Sequence, residues 1–346
     1  MKYIGMDLHR RNSTYCIVDE TGKVVGRGKV DSTEEGWLSL LQRWPAEEVG
    51  LAVETGTLTW WAVDCARSIG IEPVVVDARQ FKLVASSKKK SDRRDAFHLA
   101  DALRAGLAQR CAVTVPSLRA RSGRGVLEAR STVVKQCTMS RNAALGLLRS
   151  IGLKLSAHRF ASDEHWEKFL AESRIPESMR ASLEIHRRSW KALRASKKEF
   201  DALVVAELRH WPEADRLKGI PGYGDVVTLA VTSGIDDPQR FRTQKQVGSY
   251  AGMVPAVRAS GDSAWHGGIT RQGRTLLRVT MVQAAHAAFR SRALSPALRR
   301  WAWRLLLTKG RQVAAVALGR RLFTLGYKLM RTGDSYDPNF GATVTT

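Results

Sequence analysis

Apolar and polar positions alternate in short runs over the first hundred residues of this chain and then change to a helical period. Tyr3 to Leu8, Thr14 to Val18 and Lys23 to Val30 are rich in β-branched residues and separated by polar turns such as Asp19 to Gly22, which predicts three strands in an antiparallel meander. Ser32 is placed to cap a helix from Thr33 to about Trp44, since its hydroxyl can accept from an unpaired first-turn amide; Glu35 holds the third turn position and Pro45 is the stop. A buried strand at Val49 to Glu54, a helix from about Leu58 to Ile69 ended by Gly70, and a last strand at Glu72 to Asp77 follow. Successive strand-helix-strand units imply parallel pairing on that side, where the first and fourth strands become neighbours.

From Ser117 to Trp211 the pattern is helical and basic, with Arg119, Arg121, Arg124, Arg130, Lys135, Arg141 and Arg149 spread along its first part. Leu183, Trp190, Lys197 and Val204 recur at sevens, and His186, Leu193 and Phe200 fill the seam between them. A seam that short suits a helical hairpin within the chain as well as an intermolecular coiled coil. Ile220 to about Lys328 reads as a compact domain of helices with short Gly-rich links, and no internal repeat is visible. The expected organisation is an α/β domain at 1–110, a basic helical connector with a coiled-coil-like segment at 111–212, a mainly α domain at 213–331 and a flexible tail at 332–346.

Charge narrows the function. Of 346 residues, 56 are Lys or Arg and 33 are Asp or Glu, a formal net charge of +23, which calls for a polyanionic partner, nucleic acid first. No stretch approaches the roughly eighteen apolar residues of a spanning helix, so no membrane partner is expected. Met1 is followed at once by a strand-like run rather than a leader, and a cytoplasmic location is expected. Cys16, Cys65, Cys111 and Cys137 are scattered singly, without the close pairs of zinc sites or disulfide frameworks, and read as plain thiols.

Four acids stand at element ends: Asp7 closes the first strand, Glu54 the fourth, and Asp92 and Asp95 open the helix after the fifth, three apart on one face. Converging carboxylates repel one another unless a divalent ion sits among them, and oxygen ligands suit magnesium or manganese; two such ions can clamp the oxygens of a phosphodiester. Taken singly, each acid also reads as a cap, a surface ion pair or a strand end. The tract from Ser87 to Ser91, with Lys88, Lys89 and Lys90, is either a solvated loop or a phosphate contact, and Arg93 follows it.

GMDLH at Gly5 to His9, VETG at Val53 to Gly56 and VDARQFKLVASSKKKSDRRDA at Val76 to Ala96 give the chain a resemblance to the DEDD-type insertion-sequence transposases, whose characterised members are recombinases guided by a bridge RNA. The resemblance implies an RNase H-like (RuvC-like) fold for the N-terminal domain and a metal-binding catalytic tetrad at Asp7, Glu54, Asp92 and Asp95. Asp101 lies nearby but does not fit the motif.

Residues Gly219 to Gly224, GIPGYG, have the form of a helix-hairpin-helix turn, in which Gly222 and Gly224 let backbone amides face a phosphate; a Gly-Pro turn between packed helices needs the same residues. The block SYAGMVPAVRASGDSAWHGGITRQGRTLLR, Ser249 to Arg278, is similar to the transposase domain of the same family, which carries its nucleophilic serine in an SG dipeptide. That residue is Ser260, with Arg258, Arg271 and Arg274 as nearby cations for phosphate charge; by itself, Ser260-Gly261 reads as a turn. Ser263 is its competitor in the same block, and His266 has no role assigned.

The implied reaction is strand cleavage, a serine-phosphate intermediate, strand exchange and religation between donor and target DNA. Magnesium (or manganese) would sit at the acids beside Ser260, in a composite site formed by a homo-oligomer, dimer or tetramer, with a bridge RNA choosing the target. Two other classes remain open. A two-metal nuclease or junction resolvase would use water and leave the serine structural. An actin-like sugar kinase or ATPase shares a superficial likeness at GMDLHRRNSTYCIVD but lacks the later Gly-rich nucleotide loops. A non-enzymatic DNA-binding module would leave the acids at the strand ends without explanation.

Overall fold

Five N-terminal strands form one sheet in the order β3-β2-β1-β4-β5, with β1 at Lys2–Asp7, β2 at Asn12–Val18, β3 at Val24–Asp31, β4 at Val49–Glu54 and β5 at Val74–Val76. The computed structural model describes residues 1–84, 91–172, 175–260 and 263–338, leaving aside the side chains of 82–84, 157, 159, 172, 257–260 and 263–266. By their contacts the described residues divide into two units, Met1–Val115 and Pro116–Thr346.

In the first unit β1 pairs antiparallel with β2 and parallel with β4, as the strand-helix-strand order predicts, and β5 extends the parallel side. Side chains alternate across the sheet. Ile4 and Met6 face a core closed by Trp37, Leu40 and Leu41 of α1 (Glu34–Leu41) and by Ala62, Val63 and Ala66 of α2 (Thr59–Arg67). The opposite face carries Ala52 and Val76. After α3 (Ala78–Val84), α4 (Asp92–Arg104) lays Ala96, Leu99, Ala100 and Leu103 on that face. Gly5 makes this packing possible: a Cβ there would lie 2.2 Å from the carbonyl oxygen of Ala96, so only glycine lets α4 rest on β1.

Two local expectations are corrected. The cap of α1 is Thr33, which accepts from the amide of Gly36, because the helix begins at Glu34, one residue later than expected, while the Ser32 hydroxyl donates to the carbonyl of His9 at 2.7 Å; α1 also stops at Leu41, short of Trp44. β5 begins only at Val74, because Pro73 has no N–H for the ladder, and Glu72 before it turns out to hold Arg67.

The second unit is built on two long helices, α5 (Leu118–Ser150) and α7 (Glu177–Leu208), with α6 (Asp163–Glu172) between them. Ser122 meets Glu207, Arg130 meets Asp201 and Ser140 meets the carbonyl of His186, so the two run antiparallel as a hairpin. Leu183, Trp190 and Val204 of the heptad seam are buried within this one chain, and Lys197 pairs with Asp201 at 2.6 Å. The tip has its own core of Leu145, Leu148, Phe160, Trp166 and Trp190. The base, through Ala120, Leu127, Val204 and Leu208, belongs to the C-terminal core.

That core surrounds α9 (Asp225–Ile235), which is buried continuously from Val227 to Ile235, and is completed by α8 (Ala214–Lys218), α10 (Gln244–Tyr250), α11 (Thr275–Arg290), α12 (Pro296–Lys309) and α13 (Arg311–Thr332). The region is not helical throughout: β6 (Pro255–Ser260) and β7 (Ser263–Ile269) form an antiparallel hairpin. Of the expected tail, Tyr336 packs on the core and donates to the carbonyl of Ala293, while 339–346 lie outside the described residues.

Candidate metal centre and nucleic-acid surfaces

The sheet brings two of the four acids to one edge. Met6 pairs with Val53 in parallel register, so one step further along, Asp7 and Glu54 close adjacent strands. Asp7 lies two residues beyond Gly5 and Glu54 two beyond Ala52, which puts both on the face covered by α4. At the first turn of α4, Asp92 and Asp95 stand three residues apart.

His9, just past the end of β1, ties the strand end to the helix. Its Nε2 is 3.2 Å from Oδ2 of Asp7 and 3.4 Å from Oδ2 of Asp92. One ligand atom from each of Asp7, His9 and Asp92 lies within 4.8 Å of the other two, close enough for the three to share a cation. Among the described residues Glu54 and Asp95 stand outside that group, one on the neighbouring strand end and one a turn along α4. Thr14, the cross-strand partner of Asp7, buries a hydroxyl that makes no hydrogen bond and faces the same side of the sheet. Two carboxylates and an imidazole on one half-buried edge form a donor set that fits a divalent ion. His9 was legible only as part of GMDLH; a lone histidine after a strand signals nothing until an acid from a distant helix arrives beside it.

The turn after β4 is held by Thr59, whose hydroxyl donates to the carbonyl of Glu54 at 2.9 Å and accepts from the amide of Gly56 at 2.6 Å. The VETG segment is thereby closed into a fixed strand-to-helix corner. Arg93 is exposed in the first turn of α4, and Lys88, Lys89 and Lys90 lie outside the described residues.

In the second unit the turn from Gly219 to Gly224 joins α8 to α9. Gly222 has φ +91°, and a Cβ there would come within 2.3 Å of the carbonyl oxygen of Ala284, so this glycine serves close packing against α11. Gly224, the residue before α9, has open space where a Cβ would be; Asp225, first in the helix, pairs with Lys218 at 2.9 Å. Tyr223 between them is buried and donates to the carbonyl of Leu322, and burial holds its phenol well above its ordinary pKa.

Ser260 ends β6, and its Cα partner across the hairpin is Ser263, the competing serine of the same block; Arg258 pairs with Trp265 in that register. Arg271 and Arg274 lie on the link from β7 to α11, Arg271 at φ +54° with its amide on the carbonyl of Gly252. Arg274 belongs to a group of cations that sequence reasoning did not assemble. Arg124 donates to the carbonyls of Ser233 and Gly234, and Arg240 to those of Gly234 and Ile235, so both gather at the C-terminal end of α9. Burial, followed by the charges of Arg274 and Arg240, brings the Arg124 guanidinium down to about 10, against the opposing pull of Tyr250 and Asp236.

The sheet order and the acidic edge define the class: an RNase H-like enzyme whose DEDD-type domain uses a divalent metal. A DEDD transposase model of the IS110 group matches residues 4–153, and the model described as "Transposase IS116/IS110/IS902 family" matches residues 214–300. The chain belongs to the DEDD-type insertion-sequence transposases, enzymes that cleave and rejoin DNA. It is 23% identical to the transposase for insertion sequence element IS1111A of Coxiella burnetii over 97% of this chain and 91% of that protein. It is 27% identical to a probable family 20 transposase of Pseudomonas aeruginosa over 82% of this chain and 84% of that one. A putative transposase of Sinorhizobium fredii, y4qE, matches at 23% identity over 92% of this chain and 86% of its own length. No helix among the described residues is long and apolar enough to cross a membrane.

Proposed function

We propose that this transposase moves its insertion sequence through a serine-phosphate intermediate, with magnesium or manganese at the acidic edge. The observation that carries the reading is the convergence of Asp7, His9 and Asp92, with Glu54 and Asp95 at adjoining element ends, in a chain whose two halves match transposase models in order. A divalent ion bound there neutralises phosphate charge and makes an oxygen nucleophile easier to deprotonate. Asp7 and Asp92 hold it, His9 fixes their geometry or joins them, and Glu54 and Asp95 complete the oxygen set.

Ser260 supplies the nucleophile. Its Oγ attacks the phosphorus of a strand, the bond from phosphorus to the leaving nucleotide oxygen breaks, and that oxygen takes up the proton the serine gives up. One phosphodiester is exchanged for one phosphoserine ester, so the hydroxyl of the incoming strand can expel the serine and reseal the DNA without ATP. Arg258, Arg271 and Arg274 balance phosphate charge, and Lys88, Lys89, Lys90, Arg93 and the turn at Gly222 and Gly224 contact backbone without reading sequence. A bridge RNA choosing donor and target, assembly as a dimer or tetramer, and work in the cytoplasm belong to the same reading, on the family resemblance.

The test incubates the purified protein and magnesium with the element's end DNA and flanking RNA and looks for a denaturation-resistant protein-DNA adduct. An adduct formed by the wild type and by Ser263→Ala but lost in Ser260→Ala and Asp7→Asn is expected. Free cut ends in both wild type and Ser260→Ala would make this a water-using nuclease instead. Omitting the RNA tests guidance.

A further inference from the structure

Between Ser263 and Gly333 the sequence holds fourteen Lys and Arg and no Asp or Glu. Within this stretch α12 packs on the core through Leu298, Trp301 and Ala302, of which Ala302 alone is fully buried, and leaves its other side exposed. Arg300, Trp303, Arg304 and Leu307 are all exposed, Trp303 at 45% and Leu307 at 82%. Their spacing of three, four and seven places them on one side of the helix, the pattern an ordinary amphipathic helix turns toward its core.

Neighbouring groups of the same kinds are taken up by the fold. Arg299 donates to the carbonyls of Ser291 and Arg292 at 2.8 and 2.7 Å, and Arg321 lies over the ring of Trp301 at 3.6 Å. Among the described residues Arg300 and Arg304 form no ion pair. Trp303 meets Phe289 of α11 at 6.3 Å and 82°, which steadies the indole while leaving nearly half of it in solvent.

We propose that the face of α12 bearing Arg300, Trp303, Arg304 and Leu307 docks single-stranded DNA, with Trp303 stacking on an unpaired base and the two arginines on the phosphates either side. Arg300 and Arg304 are one helical turn apart, about 6 Å along the axis, and straddle the indole. Such a platform of aromatic ring and cations binds bases whose π-faces are free, which duplex DNA does not offer. A second copy of the chain is a poorer occupant, because charge is depleted at the centre of protein interfaces and this acid-free stretch would meet its own like charge. The inference rests on strand cleavage by the transposase as proposed above, since cleavage and exchange expose unpaired nucleotides.

The test measures binding of the full chain, without divalent metal, to a labelled short oligothymidylate, to a duplex of equal length and to oligouridylate, by fluorescence anisotropy across a salt series. Trp303→Ala is expected to weaken oligothymidylate binding roughly tenfold and leave the duplex unchanged, with Trp303→Tyr restoring most of the loss. The double variant Arg300→Gln with Arg304→Gln weakens both and lowers the single-strand salt slope by roughly one to two. Leu307→Glu, at a site too exposed to threaten folding, weakens oligothymidylate by repulsion. Equal weakening of duplex and single strand by Trp303→Ala, no effect of Leu307→Glu, a response confined to oligouridylate, or a change of mass by light scattering in these variants would each overturn the proposal. Loss of the covalent adduct in Ser260→Ala with unchanged oligothymidylate binding in Trp303→Ala sinks this inference alone. Trp303-dependent binding in a protein that forms no adduct sinks the serine mechanism alone.

Discussion

Asp7 and Asp92, one at the end of a strand and the other at the start of a helix far along the chain, approach the same imidazole nitrogen: Nε2 of His9 lies 3.2 Å from the first carboxylate and 3.4 Å from the second. Strand end, helix start and the residue after the strand thus meet at one point, and the consequences can be measured.

Removing the imidazole should loosen the metal. His9→Ala is expected to weaken manganese binding about tenfold, as loss of a supporting group commonly does. Electron paramagnetic resonance of free manganese measures it. Affinity equal to wild type would place His9 outside the metal site.

Gly5 sets how closely α4 approaches β1. Gly5→Ala puts a methyl 2.2 Å from the carbonyl of Ala96 and should destabilise the protein by about 1–3 kcal/mol, because backbone rather than a flexible side chain must give way. The denaturant midpoint reads this, and manganese affinity should fall with it as Asp92 moves from Asp7.

The two glycines of the turn before α9 should separate cleanly. Gly222→Ala is strained at φ +91° and collides with the carbonyl of Ala284, and a loss of about 1–3 kcal/mol is expected. Gly224→Ala meets open space and should stay within about 0.5 kcal/mol of wild type. Any loss of duplex binding by a stable Gly224→Ala protein then reports on phosphate approach. A thermally fragile Gly224→Ala would contradict the geometry.

At the hairpin tip, hydrogen bonds from Arg187 and then Lys191 bring the Asp163 carboxyl from an ordinary 3.8 down to about 2. A depressed folded pKa means the stabilisation is complete above the unfolded value and is lost as pH falls through the folded one. The melting temperature of wild type should exceed that of Asp163→Asn above pH 4, with the gap closing between about 4 and 2. A gap that stays constant down to pH 2 would show the pair contributes no linkage.

Much of this was legible in the order of residues because it is local. Short apolar runs at Tyr3 to Leu8 and Val49 to Glu54 mark strands, and the helix between successive strands dictates the parallel neighbours β1 and β4. The hairpin of β6 and β7 escaped, since AVRAS and SAWHGGI are rich in Ala, Ser and Gly and carry little strand propensity. Ser32 and Thr33 are chemically equivalent caps, and the choice between them came from where the first helical turn begins, which leaves Ser32 outside the helix with its hydroxyl donating to the carbonyl of His9. The heptads of α7 left a partner undecided until α5 was seen to fill them from the same chain.

The sequence by itself determined the excess of positive charge, the element order, the acids at element ends and the two transposase blocks, all of which follow from residue type and short spacing. Only the tertiary structure decided that His9 stands between Asp7 and Asp92, that Gly5 and Gly222 are points of backbone contact, and that Trp303 faces solvent while Trp301 is covered. Periodicity reports which face of an element is apolar, whereas which partner arrives at that face depends on packing between residues distant in the chain, and no local pattern encodes it.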